Sequence, residues 1–254
     1  MSQWAVVTGA TVGIGDSFAR LLAKHRYNIT LVARDKARLE ERAKYLEDTF
    51  KVQTLIIQAD LSTESGSYAV EKYLEEHDVE ILVNNAGFGL NKAFTVSDLA
   101  LEQSMLDVLV RVPLRHTHIV MKKMKERNSG MVINISSVAS FIAGGTYSAA
   151  KSYLTVFSEG LHTELANTNI RVCAVCPGFT RTEFHQRGRM KMSGLPPFLW
   201  LNADDVAEQG WKDALAGKAI SIPSRRYKII SFIARYAPRP YVRKMGMNLR
   251  SKQR

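Results

Sequence analysis

Six short apolar runs rich in β-forming residues, each followed by a stretch of helical period, constrain this 254-residue chain more than any other feature. The runs lie at 3–8, 28–33, 53–58, 80–83, 130–135 and 170–176. The helical patterns lie at about 14–25, 36–49, 64–77, 98–126, 146–166 and 203–216. Such alternation predicts a doubly wound parallel α/β sheet, buried on both faces and joined by right-handed crossovers. In this architecture ligands bind outside the carboxyl ends of the strands. Gly9, Asn84, Ser137 and Pro177 each fall just after a predicted strand. Four motifs far apart in sequence are therefore expected on one edge of the sheet. No linker-like tract or internal repeat interrupts the pattern, and the length suits one large domain. The expected organisation is a single domain over 1–224 with a basic helical extension over 225–254.

The first apolar run passes directly into Gly9-Ala10-Thr11-Val12-Gly13-Ile14-Gly15 and then into a helical pattern. Strand, glycine turn and helix within about 30 residues let a pyrophosphate rest on a helix N-terminus. Alone, the turn reads equally well as a tight strand–helix connection. Downstream, Tyr147-Ser148-Ala149-Ala150-Lys151 places a phenol and an ammonium on one helix face. A nearby positive charge favours phenolate and draws the tyrosine pKa down from about 10. That suits proton exchange with a carbonyl or alcohol oxygen. Alone, the pair also reads as a surface tyrosine above a solvated lysine. Asn84-Asn85-Ala86-Gly87, after the apolar Ile81-Leu82-Val83, is the third landmark.

Together, Thr8-Gly9-x-x-x-Gly13-x-Gly15, Asp60-Leu61, Asn84-Asn85-Ala86-Gly87, Ser137, Tyr147-x-x-x-Lys151 and Pro177-Gly178 resemble the short-chain dehydrogenase/reductase family. The resemblance covers residues 3 to about 222. It implies a Rossmann-type sheet, a nicotinamide cofactor, and hydride transfer between a carbonyl and a secondary alcohol. It also implies a homodimer or homotetramer. Tyr147 would be the acid/base, Ser137 would polarise the substrate oxygen, and Lys151 would hold the ribose and tune Tyr147. Strand alternation turns the neighbouring Ser136 away. The implied cofactor cradle is Gly9, Thr11, Gly13, Ile14, Gly15, Arg34, Asp60, Leu61, Asn84, Ala86, Gly87, Tyr147, Lys151, Pro177, Gly178, Thr180 and Thr182. Within it, Asp60 would hold the adenine amino group, and Asn84 would line the adenosine side. Thr182 would meet the carboxamide or pyrophosphate.

The second predicted strand ends without an acidic residue to grip a ribose 2′-OH, and Arg34 follows it. Arginine attracts a 2′-phosphate where a carboxylate repels it. The expected cofactor is NADP(H), with NAD disfavoured. Arg34 as a mere helix opener, or a one-residue shift aiming Asp35 at the ribose, are the competing readings.

Two features depart from the family pattern. Only ten positions separate Ser137 from Tyr147, so the loop Ser140–Thr146 is short and opens one wall of a substrate pocket. Leu109 stands where the family usually carries an asparagine that supports a water-linked proton path behind the lysine. Leucine's side chain has no hydrogen-bonding group. The rival to an active oxidoreductase is therefore a nucleotide-binding protein with attenuated turnover that acts through its basic tail.

Cys173 and Cys176, the only cysteines, lie on a predicted strand where residues three apart face opposite sides. With scattered histidines and no ligand cluster, no metal is expected. The formal charge of +11 is concentrated at one end: residues 225–254 hold ten Lys or Arg and no Asp or Glu. Ile229, Ile230, Phe232 and Ile233 sit among these bases, a mixture suited to an anionic membrane surface. A helix packed on the body or on another subunit, with an exposed basic face, carries at least equal weight. Nucleic acid is not expected, since no binding motif accompanies the charge. No apolar run reaches the ~18 residues of a membrane span and no signal peptide precedes the first strand, so a cytoplasmic protein is expected. Residues 179–200 combine aromatics and methionines with Arg181, Arg187, Arg189 and Lys191. They read as a lid over an apolar or acyl-chain substrate, or as ordinary packing.

Overall fold

The computed structural model describes residues 3–188 and 196–244. Its centre is a seven-stranded sheet, all parallel, in the order β3-β2-β1-β4-β5-β6-β7. The strands are β1 (Trp4–Thr8), β2 (Asn28–Ala33), β3 (Thr54–Gln58), β4 (Ile81–Asn84), β5 (Gly130–Ile135), β6 (Ile170–Val175) and β7 (Ile220–Ser221). Between them run α1 (Gly13–Lys24), α2 (Lys36–Phe50), α3 (Glu64–Glu76), α4 (Leu99–Leu106), α5 (Val112–Arg127) and α6 (Thr146–Glu164). After β6 come the short α7 (Phe184–Arg187), α8 (Ala203–Leu215) and, beyond β7, α9 (Arg225–Tyr236). The strand order reverses between β1 and β4, which makes the glycine turn after β1 the switch point where a ligand crevice opens.

Strand alternation builds two cores. Ala5 and Val7 face one layer with Phe18, Leu22 and Trp211. Val6 faces the other with Val70, Leu74, Val112 and Met124. Each fully buried Val, Leu or Ile contributes roughly 1.5–3 kcal/mol relative to exposure, so both sheet faces anchor the strand ends firmly. Cys173 and Cys176 are buried free thiols.

Two features depart from the sequence reading. β7 has only two residues, too few to show a strand period. The single long helix expected at 98–126 is instead interrupted between α4 and α5 by a π turn over Asp107–Arg111. The Val112 amide bonds the Asp107 carbonyl, five residues back. Pro113 lacks the amide that would continue the ordinary i→i−4 ladder, which accounts for the slip. The helix ends otherwise follow local chemistry. Asp35 caps α2 by accepting from the Arg38 amide (3.1 Å), Thr63 caps α3, and Asn202 caps α8.

Candidate active site

The carboxyl ends of the strands carry the expected landmarks together. After β1, the chain turns through Gly9, Thr11 and Gly13 into α1, with Ile14 and Gly15 in its first turn. Gly13 has φ +59°, and a Cβ there would stand 2.6 Å from the Thr182 methyl. A Cβ on Gly15 would stand 2.2 Å from the Gly9 carbonyl oxygen. The turn is thus as tight as backbone allows. Val12, the N-cap of α1, makes no side-chain cap bond. The first amides of α1 therefore have no side-chain acceptor, the property a dinucleotide pyrophosphate needs.

Asn85 braces this cradle from β4, a role the sequence did not reveal. Its side-chain amide donates to the carbonyls of Thr8 (2.9 Å) and Gly9 (3.2 Å). The amides of Asn85 and Ala86 both donate to Thr8 Oγ1 at 3.0 Å. The Asn84 side chain is committed inward, donating to Asn134 (2.9 Å) and Thr117 (3.3 Å), and so ties β4 to β5 and α5.

At the next corner, Arg34 follows β2 and its guanidinium lies 3.9 Å from the Asp60 carboxylate after β3. Asp60 also accepts from the Ser62 amide (3.0 Å) and hydroxyl (2.7 Å). Burial pushes the Asp60 carboxyl upward, but the Ser62 bonds and Arg34 outweigh it and leave the group below its ordinary value. Leu61 is buried beside it. Asp35 is occupied as the α2 cap, which turns it toward the Arg38 amide.

The catalytic corner is built by β5 and α6. Ser136 is buried and bonds the Lys151 carbonyl (2.9 Å) and Thr155 Oγ1 (2.7 Å), fixing α6 against the strand end. Ser137 Oγ accepts from the Ala139 amide (3.1 Å), and the side chain is close enough to Tyr147 to draw its phenol pKa downward. Lys151 Nζ donates to the Ile135 carbonyl (2.6 Å) and lies 5.8 Å from the Tyr147 ring centre. Burial pushes the Tyr147 phenol up to about 12, partly opposed by Ser137. Burial also brings the Lys151 ammonium down to about 8. The expected lowering of the tyrosine by the lysine is not found: desolvation raises the phenol, and only Ser137 opposes it.

Leu109 sits in the π turn, buried with Met105 and Ala150 and packed near Tyr147. A Cβ on Gly87 would stand 2.8 Å from the leucine side chain and 3.9 Å from Lys151 Nζ. Leu109 thus reaches the space beside the lysine, as its place in the sequence implied.

The segment after β6 crosses the cleft as a strap. Pro177 accepts from the Val138 amide (3.0 Å), joining it to the Ser137 loop. Thr180 Oγ1 donates to the Gly178 carbonyl (3.0 Å), and Thr182 overlies Gly13. Glu183 takes two bonds from Arg38 Nη1 (3.0 and 3.1 Å), and the Phe184 ring stands 5.8 Å from that of Tyr147. Residues 189–195, including Arg189 and Lys191, and the Arg187 side chain lie outside the described residues, as do 245–254.

Tyr227 of α9 holds this strap from outside. Its hydroxyl accepts from the Phe179 amide (3.1 Å) and donates to the Leu199 carbonyl (2.8 Å). Its ring occupies the space where a Cβ on Gly178 would fall, 2.0 Å away. Nothing local in the sequence signals this contact, because its partners lie far apart along the chain. Among the described residues no group of three or more His, Cys, Asp or Glu is arranged to hold a metal. No described helix is long and apolar enough to cross a membrane.

Residues 3–192 match the family model described as short chain dehydrogenase. The chain is 35% identical over 190 residues to a very-long-chain 3-oxoacyl-CoA reductase-A of Danio rerio, covering 72% of this chain and 60% of that protein. It is 36% identical over 186 residues to an inactive hydroxysteroid dehydrogenase-like protein 1 of Homo sapiens, covering 71% and 56% respectively. The chain thus spans somewhat over half the length of these two relatives. A solved short-chain dehydrogenase from Sphingobium yanoikuyae, in complex with NADPH, superposes with a TM-score of 0.83 at 28% identity, covering 99% of this chain and 96% of that one.

Proposed function

The chain belongs to the short-chain dehydrogenase family, and we propose that within it the protein is an NADP(H)-dependent oxidoreductase interconverting a carbonyl and a secondary alcohol on an apolar or acyl-chain substrate. The observation that carries this reading is the clustering of Ser137, Tyr147 and Lys151 at the strand ends beside the glycine cradle. The cradle suits the dinucleotide: the uncapped α1 amides would take the pyrophosphate, Arg34 the 2′-phosphate, and Asp60 the adenine. Leu61, Ala86, Gly87, Pro177, Gly178, Thr180 and Thr182 would line the rest, with Asn84 contributing through its main chain.

The nicotinamide supplies or accepts the hydride. In the reductive direction Tyr147 gives its proton to the carbonyl oxygen. The Ser137 hydroxyl donates to that oxygen as charge develops on it. Lys151, held by the Ile135 carbonyl, orients the ribose and places positive charge behind the phenol. The Tyr147 phenol is protonated at neutral pH and so starts in the form that donates, although its burial makes it a weaker acid than a free tyrosine.

Arg34 and the capping role of Asp35 favour the phosphorylated dinucleotide. Arg34→Ala should cut the NADPH-over-NADH preference in kcat/KM by about 10–100-fold, the loss of one to two charge-assisted bonds. An unchanged ratio would remove Arg34 from the specificity site. Substrate class is tested by NADPH oxidation against ketones, aldehydes and 3-oxoacyl thioesters of graded chain length. Turnover should rise with chain length, and a flat or inverted series would contradict the apolar reading. The same reading places the protein in the cytoplasm, as a homodimer or homotetramer, with peripheral membrane contact through the basic C-terminal segment.

Leu109 favours a second reading, a nucleotide-binding protein with attenuated turnover. Under it, Tyr147→Phe leaves biological function intact, while the oxidoreductase reading requires that function to be lost.

A further inference from the structure

α9 is a two-faced helix whose outer face is the inverse of an ordinary surface. At about 100° per residue, Tyr227, Ser231 and Ala234 share one side, and all three are buried. Ile229, Phe232, Ile233 and Tyr236 share the opposite side and are 53–73% exposed. Arg225, Arg226, Lys228 and Arg235 flank this apolar stripe. Beyond Pro238, exposed Arg239, Tyr241, Arg243 and Lys244 continue the same character. Residues 225–244 contain no Asp or Glu. An apolar stripe edged by cations suits insertion among anionic lipid headgroups. Arg235 is paired with Glu159 of α6 (3.6 Å), but the segment itself carries no carboxylate. Two-fold pairing of this face would still oppose its other bases to one another, which makes a second copy a poor occupant.

The helix lies along one wall of the cleft. Its Arg226 bonds the Phe198 carbonyl and stacks on that ring, whose centre is 5.6 Å from the guanidinium. Near its other end, Arg235 stacks on Phe141 at 4.6 Å. Phe141 closes the short helical turn that begins after Ser137, and Phe198 belongs to the segment that follows the strap. Between them Tyr227 holds both the Phe179 amide and the Leu199 carbonyl. The helix that carries the apolar stripe is therefore fixed to both sides of the substrate mouth.

We propose that the Ile229–Phe232–Ile233–Tyr236 face of α9 docks on an anionic bilayer and holds the substrate mouth against it, so that an apolar carbonyl compound enters from the lipid phase. The substrate half of this proposal rests on the reductase reading above, and the docking half deepens the membrane contact proposed there.

The full-length protein is sedimented with phosphatidylcholine vesicles, with and without about 30% phosphatidylserine, in wild-type form and as Phe232→Ser/Ile233→Ser. Both residues are exposed, and NADPH titration verifies that the variant retains its cradle. The wild type should bind the anionic vesicles at least 10-fold more tightly than the zwitterionic ones, and the variant should lose most of that difference. With a long-chain ketone embedded in anionic vesicles, the variant's rate should fall 5-fold or more. Its rate on a short water-soluble ketone should not change. Equal binding to both vesicle types, or to neither, overturns the proposal. So does sedimentation velocity showing a wild-type dimer that the double substitution dissociates, which would assign the face to a second copy. Anionic-selective binding abolished by the substitutions, together with no turnover of either ketone by the wild type, would uphold the docking surface and refute the reductase reading.

Discussion

The two sides of the cleft are held by different physics. The cofactor side is backbone: a glycine turn without room for a Cβ, an uncapped helix start, and strand ends locked by two buried cores. The substrate side is side chains reaching across long stretches of sequence. Tyr227 supports Phe179 and Leu199, Arg226 holds Phe198, and Arg38 holds Glu183. The first arrangement tolerates little change and specifies a generic ligand. The second can be rebuilt one contact at a time, which is how one scaffold comes to serve different substrates.

If this contrast holds, damage to the two sides should differ in kind. Gly13→Val puts a branched side chain at φ +59° and against Thr182. NADPH affinity, measured by titration calorimetry, should fall at least 100-fold. A loss under threefold would mean that the turn is not the cradle.

Acid should act on the buried scaffold rather than on the strap. His116 of α5 is fully buried, and burial lowers its pKa to about 4, with Glu71 opposing and Arg115 reinforcing the shift. The unfolded chain takes up this proton near pH 6.5 and the folded one only near 4. Stability therefore falls as pH drops through that window, by roughly 3 kcal/mol for this residue. Glu71, kept below its ordinary range first by its bond from Arg115, adds to the acid loss. In His116→Leu, urea midpoints between pH 6.5 and 4 should decline less steeply than in the wild type. Equal slopes would show that His116 is charged in the native state.

Tyr227→Phe should give the smallest effect and the most selective one. It keeps the ring over Gly178 but removes the bonds that the Tyr227 hydroxyl makes with the Phe179 amide and the Leu199 carbonyl, a loss of about 1–3 kcal/mol. The substrate KM should rise several-fold with NADPH affinity nearly unchanged. Equal weakening of both would erase the distinction between the two sides.

The same contrast explains what the sequence made legible. Strand–helix alternation and the cofactor motifs are local patterns, and their order along the chain carried the resemblance that gave Gly9–Gly15, Ser137, Tyr147 and Lys151 their expected roles. The π turn was not read from the sequence, where 98–126 reads as one helix, because the shift in register shows only once the whole helix is seen. β7 is too short to carry a period. Asn85, Tyr227 and the Arg38–Glu183 pair act through partners that only the fold brings near. In the tail, the apolar cluster was visible in the sequence. Which of its residues face outward was not, because Tyr227, Ser231 and Ala234 had first to find their place on the body.

The central claim, that Tyr147 transfers a proton in a protein that turns over, is tested by comparing wild type and Tyr147→Phe for NADPH oxidation and NADPH binding in the same preparation. The account predicts a wild type active on a long-chain ketone and a variant at least 1,000-fold slower, with cofactor affinity within about threefold. A wild type that binds NADPH but oxidises none of it with any carbonyl compound would contradict the account and leave the attenuated binding protein in its place.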